Sequence, residues 1–165
     1  MEPGEALGIA AQVAVALAGF AGVVVVFRRE AVHEWSGIDK LRLRLLLANS
    51  IVPLGLSMLG LLLLTIKPLP PGIWRWSSCV LLIATVSFVT ATTKAFRRLR
   101  LPNAQRDRVT RLIFFLFGVF GAAAMLLQLY NIALLDAFWP FFAGIVYQLV
   151  TAMAQFARMI LLLPE

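Results

Sequence analysis

The sequence predicts an all-α integral membrane bundle of five transmembrane helices, and three observations carry that prediction. The 165-residue chain holds five apolar runs: Leu7–Phe27, Leu45–Ile66, Ile73–Thr93, Leu112–Leu135 and Phe141–Leu163. Each is close to the ~20 residues that cross a ~30 Å hydrocarbon core. A hydrophobic fraction of 61%, a charged fraction of 14% and a mean hydropathy of +0.90 lie outside the range of ordinary soluble domains. The cations are also segregated. With Leu7 placed outside, Arg28, Arg29, Lys40, Arg42, Arg44, Lys94, Arg97, Arg98, Arg100, Arg106, Arg108, Arg111 and Arg158 all fall on the inner side, against only Lys67 and Arg75 outside. Short loops obey the positive-inside rule, so the N-terminus is expected out and the C-terminus in. No connection is long enough for a folded soluble unit, and residues 1–165 are expected to form a single membrane domain.

The residues before the first run are acidic (Glu2, Glu5) where a cleaved signal would be basic, so the first helix is expected to be retained. Within it Gly8, Gln12, Ala16, Gly19 and Gly22 share about 120° of arc, with Val15 their one bulkier neighbour. Small faces let backbones approach closely in lipid, so this face is expected to be a packing seam. Ser36 followed by Asp39 resembles a capping box and predicts a second helix from about Gly37, with Trp35 at the inner interface. In the second span Asn49, Ser50, Pro53, Ser57 and Gly60 share one face. Pro53 frees a backbone carbonyl that needs another partner, which Ser50 or a neighbouring helix could supply. Lys67 to Gly72 carries three prolines and a glycine and must turn. Trp74, Trp76 and Trp139 then form an outer aromatic belt. The hydroxyls of the third span, from Ser77 to Thr93, are spread around the helix and are expected to bond their own backbone. Pro102 breaks the second inner loop, with Asn103 as a cap for the fourth helix.

The last two spans carry the polar signal. Gly144, Tyr147, Gln148, Thr151, Gln155 and Arg158 share about 100° of the fifth helix. Gly118, Gly121, Ala124, Gln128 and Asn131 share about 140° of the fourth. An unpaired amide in hydrocarbon costs several kcal/mol, so these faces must meet protein or water. Two readings stay open: amides that glue helices together, and amides that line an outward-facing cavity or a subunit interface. Gln12, Gln128, Asn131, Tyr147, Gln148, Thr151 and Gln155 are the candidate lining residues.

Other chemistries lack their residues. The eight carboxylates are Glu2, Glu5, Glu30, Glu34, Asp39, Asp107, Asp136 and Glu165, none in the middle of a span, which disfavours proton-coupled transport. One histidine, His33, cannot make a bis-histidine haem site, and one cysteine, Cys79, cannot make a disulfide within the chain. No cofactor and no metal are expected. The net charge of +7 sits beside the spans, where it fits anionic headgroups rather than nucleic acid. Arg28, Arg29, Arg42, Arg44, Arg97, Arg98 and Arg100 are the expected contacts to anionic lipid on the cytoplasmic side.

The segments Ala18-Gly19-Phe20-Ala21-Gly22 and Phe138-Trp139-Pro140-Phe141-Phe142, with Gln148 and Gln155-Phe156-Ala157-Arg158, resemble a group of short, uncharacterised bacterial membrane proteins. The resemblance implies a bacterial inner-membrane setting and supplies no activity or site residue. The expected function is non-catalytic: a multi-pass subunit of the plasma membrane that forms homo-oligomers or joins another membrane protein, with a permeation path for small solutes as one form of it. The alternative is an enzyme acting on lipid headgroups at the cytoplasmic face, where Glu30, His33, Glu34 and Asp39 gather beside arginines able to hold phosphate.

Overall fold

The computed structural model describes residues 1–27, 34–99 and 108–161; for Phe27, Ile38, Phe96, Arg98, Leu99, 108–114 and Leu161 it describes the backbone alone. The described residues form five long helices and no strand: α1 (Pro3–Phe27), α2 (Gly37–Leu64), α3 (Ile73–Leu99), α4 (Arg108–Tyr130) and α5 (Phe138–Leu161). A π-helical turn, Asn131–Leu135, extends α4. Each of the five is long and apolar enough to cross a membrane.

Helix boundaries follow local chemistry more closely than the apolar runs do. α1 begins with Pro3, whose missing N–H costs nothing in a first turn. α2 begins where the Ser36–Asp39 pair predicts: Ser36 Oγ accepts the Asp39 N–H at 3.1 Å, and the Ser36 hydroxyl donates to the Asp39 carboxylate at 3.0 Å. α5 starts at Phe138, three residues before the apolar run, because Pro140 lies in the first turn and removes no helical bond there.

Contacts fix the alternation of the helices. Gly4 lies beside Leu64 and Leu7 beside Gly60, so α1 and α2 run antiparallel. Phe20 stacks on Phe156 at 5.2 Å, so α1 and α5 run parallel. Thr85 meets Gln148, and Tyr147 reaches Phe117, which sets α3 parallel and α4 antiparallel to α5. α2 and α5 form the centre, with α1 against both on one side and α3 and α4 on the other. One end of the bundle carries Trp74, Trp76 and Trp139. The opposite end carries Lys40, Arg42, Arg44, Lys94, Arg97 and Arg158. Trp76 and Trp139 project outward, 69% and 58% exposed, as belt residues should. Trp74 instead turns inward against Phe138 and Phe141.

One expectation fails. The packed face of α1 is Leu7, Ala10, Ala14, Leu17 and Ala21, all buried, whereas Gln12, Val15, Ala16, Gly19 and Gly22 are exposed. The leucine–alanine stripe wins because it combines close approach with apolar area to cover. Trp35, just before α2 at the basic end, faces protein: it is 3% exposed and belongs to the core cluster that includes Leu43, Leu46 and Met159.

Candidate functional site

The polar side chains concentrate where α3, α4 and α5 meet. Asn131 is fully buried and holds the corner between α4 and α5. Its carboxamide oxygen accepts the Ala137 N–H at 2.9 Å, and its amide donates to the Ala137 carbonyl at 3.0 Å and to Ser78 Oγ on α3 at 2.8 Å. All three bonds spring from one side chain, so Asn131 fixes the turn and ties it to α3. The next residue but four, Asp136, adopts a left-handed conformation (φ 46°), which Asp tolerates better than most residues. Its N–H closes the π turn on the Asn131 carbonyl at 3.1 Å. Its carboxylate accepts the Arg75 N–H at 2.9 Å, so it caps the first turn of α3 from another part of the chain. Asp136 was not foreseen as a structural residue: the partner is 61 positions away, and no local motif announces it.

A second device joins α4 and α5, and it works in both directions. Gln128 Nε2 donates to the Pro140 carbonyl of α5 at 2.7 Å, one turn from Gly144. Tyr147 donates its hydroxyl to the Phe117 carbonyl of α4 at 2.7 Å, one turn from Gly121. Each helix thus presents a carbonyl at position i and a glycine at i+4. A Cβ on Gly121 would lie 2.7 Å from the Tyr147 hydroxyl. A Cβ on Gly144 would overlap the Leu81 side chain and stand 3.0 Å from Gln128 Nε2. The glycines open the windows through which the polar groups reach backbone.

One turn along, Gln148 Nε2 donates to Thr85 Oγ1 at 3.1 Å, and Thr85 donates to the Leu81 carbonyl at 2.8 Å. Among the described residues, the buried side-chain oxygens of Gln128 and Gln148 have no partner, and neither does the Ser57 hydroxyl. Ser77, Thr85, Thr90 and Thr93 all bond carbonyls of α3 itself, as expected of hydroxyls scattered round a helix. Ser50 bonds the Leu46 carbonyl, so its hydroxyl is not the group that serves the carbonyl freed by Pro53.

The candidate lining residues therefore divide. Gln128, Asn131, Tyr147 and Gln148 are brought together by three helices. Thr151 bonds back to the Tyr147 carbonyl, and Gln155 is buried further along α5. Gln12 stands apart on the outer face of α1. Of the arginines, Arg42 pairs with Asp39 at 3.4 Å. Arg158 is half-buried near the end of α5. Arg44 and Arg97 are exposed. Arg28, Arg29 and Arg100, the Glu30–His33 pair and the Asn103 cap fall outside the described residues, as does the side chain of Arg98. Of the remaining acidic groups in the headgroup-enzyme reading, Glu34 is exposed and Asp39 caps α2. No group of three or more His, Cys, Asp or Glu able to hold a metal occurs among the described residues. Compared with known families, curated proteins and solved structures, the chain shows no match.

Proposed function

We propose that this protein is a non-catalytic membrane subunit that acts by lateral association in the bilayer, through the outer face of α1, with a second copy as the favoured partner. The observation that carries the reading is Gln12. It is exposed, and its side chain has no hydrogen bond among the described residues. It lies nine residues, about 14 Å, into a 24-residue span that begins at Pro3. A glutamine side chain cannot reach the headgroups from that depth, and an amide left in hydrocarbon costs several kcal/mol. Gly8, Ala16 and Gly19 flank it on the same face and leave room for another helix. An amide both donates and accepts, so two copies related by a two-fold axis satisfy each other.

The orientation belongs to the same proposal: the end bearing Lys40, Arg44 and Lys94 faces the cytoplasm of a bacterial inner membrane, with the N-terminus outside. Gln128, Asn131, Tyr147 and Gln148 donate to acceptors inside one copy, which favours glue over the lining of a path through that copy. A path for small solutes would run between copies.

The test is the oligomeric state of the full chain in lipid nanodiscs and after cross-linking in native membranes. Wild type is expected as a dimer or higher oligomer, and Gln12→Leu as a monomer that keeps its helical content. A wild-type chain that stays monomeric in native membranes and retains no membrane protein on purification overturns the proposal. Loss on Gln12→Leu of a co-purifying polypeptide, with no change in self-association, assigns the seam to that partner instead.

A further inference from the structure

The outer face of α1 carries a spacing of its own. Gly8, Gln12, Val15, Gly19, Gly22 and Val26 follow one another at intervals of 4, 3, 4, 3 and 4. On a helix they share about 80° of arc and run for about 27 Å, nearly the thickness of a hydrocarbon core. Gln12, Val15, Gly19, Gly22 and Val26 are exposed, and Gly8 is partly so. A Cβ added to Gly8, Gly19 or Gly22 would meet nothing within 4 Å among the described residues. Glycine weakens a helix relative to alanine, so three of them here serve no contact that the described bundle makes. Two other rows of residues lead away from Gln12, and the chain's own fold blocks both. Steps of four pass through Ala16 to Phe20, which stacks on Phe156 of α5. Steps of three pass through Val15 and Ala18 to Ala21, which is fully buried. A helix laid along either row would run into the bundle. Only the alternating row stays clear along the length of α1.

A row that repeats about every 3.5 residues stays in contact with a second helix when the two wind round each other with a left hand. Copies of one chain share one orientation in the membrane, so a two-fold axis between them lies along the membrane normal. Such an axis sets α1 parallel to its counterpart, with each residue facing its own copy. We infer that the outer face of α1 forms a parallel, left-handed, in-register helix pair between two copies of this chain, held at one layer by the two Gln12 amides. The inference rests on the association reading above and adds to it the hand and register of the pairing. The amide sets the register: a slip of one heptad would place Gln12 opposite Gly19 and leave both amides unpaired in hydrocarbon. Gly8, Gly19 and Gly22 let the backbones approach, and Val15 and Val26 supply the apolar contact between those layers.

The experiment is a disulfide scan of the full chain in native membranes. The chain's one cysteine is removed by Cys79→Ser, and single cysteines are placed along α1. Disulfide-linked dimer is measured after mild oxidation. Gly8→Cys, Val15→Cys, Gly19→Cys and Gly22→Cys are expected to cross-link at least about fivefold more than Ile9→Cys, Ala16→Cys and Phe20→Cys, because a disulfide forms only where Cβ atoms come within about 4 Å. Adding Gln12→Leu to the Val15→Cys chain should lower its cross-linking about fivefold, whereas Gln12→Asn keeps an amide and should retain most of it. Strong cross-linking at Ala16 and Phe20 in place of Val15 and Gly22 overturns the left-handed geometry and leaves self-association standing. An unchanged pattern in Gln12→Leu overturns the role of the amide in register. No cross-link at any α1 position overturns the helix pair, and amine-reactive cross-linking of the same membranes then separates the two readings. A dimer seen there keeps self-association and moves it to another face, and a monomer sinks both. All scanned positions are exposed or partly so, and circular dichroism confirms that each variant keeps its helices.

Discussion

Gly121 and Gly144 are small residues with large consequences, because each is the gap through which a polar side chain reaches a carbonyl of the neighbouring helix. Gly144→Ala is expected to destabilise the bundle by about 1–3 kcal/mol, the usual cost of overfilling a tight contact. Leu81, the group it would displace, is 1% exposed and has little space to retreat into. Tyr147→Phe keeps the ring and removes one interhelical bond, and should cost only about 0.6–2 kcal/mol. Gly121→Ala pushes the same hydroxyl, which is half-buried, away from its acceptor, so it should cost more than Tyr147→Phe. Reversible unfolding of the purified protein in mixed micelles measures both, and the reverse ranking would show that the Tyr147 hydroxyl is not held through a glycine gap.

The corner between α4 and α5 shows how an element end can depend on a distant residue. Asp136 caps α3 although sequence places it after α4. Asp136→Ala should lower stability by about 1 kcal/mol, whereas Asp136→Asn retains an acceptor and tolerates the left-handed backbone, and should lose less. Asn131→Ala removes three bonds at once and strands Ser78 and Ala137, for which about 2–3 kcal/mol is expected. Hydrogen exchange gives a second readout. The amide of Ala137 should exchange faster in Asn131→Ala, and so should that of Arg75 in Asp136→Ala. Unchanged protection in either variant would mean that water or another side chain takes over the bond.

Across the whole molecule, the polar groups fall into two populations with different partners. Those at the α3–α4–α5 junction are satisfied largely within the chain, so their replacement should act on stability. Gln12 lacks a partner among the described residues, so its replacement should act on assembly. Gln128→Leu combined with Gln148→Leu is therefore expected to lower the unfolding midpoint while leaving the oligomeric state of the folded fraction unchanged. Gln12→Leu is expected to do the opposite. Swapped outcomes would exchange the roles assigned to α1 and to the junction.

Run length and composition were enough to read five helices long and apolar enough to span directly from the chain, because a bilayer imposes one length and one composition on every crossing. The Ser36 cap and the self-bonded hydroxyls of α3 were equally legible, since both partners lie within a few residues. Helical periodicity also put Gln128, Asn131, Tyr147 and Gln148 on faces that had to be covered. It could not choose between the two faces of α1, one lined by glycines and Gln12, the other by Leu7, Ala10, Ala14 and Leu17. Both are compatible with close packing, and only the fit against α2 and α5 decides. The Asp136–Arg75 bond and the paired glycine windows likewise exist only in the folded bundle. Each joins residues far apart in sequence, whose proximity is a property of helix packing and not of any local pattern.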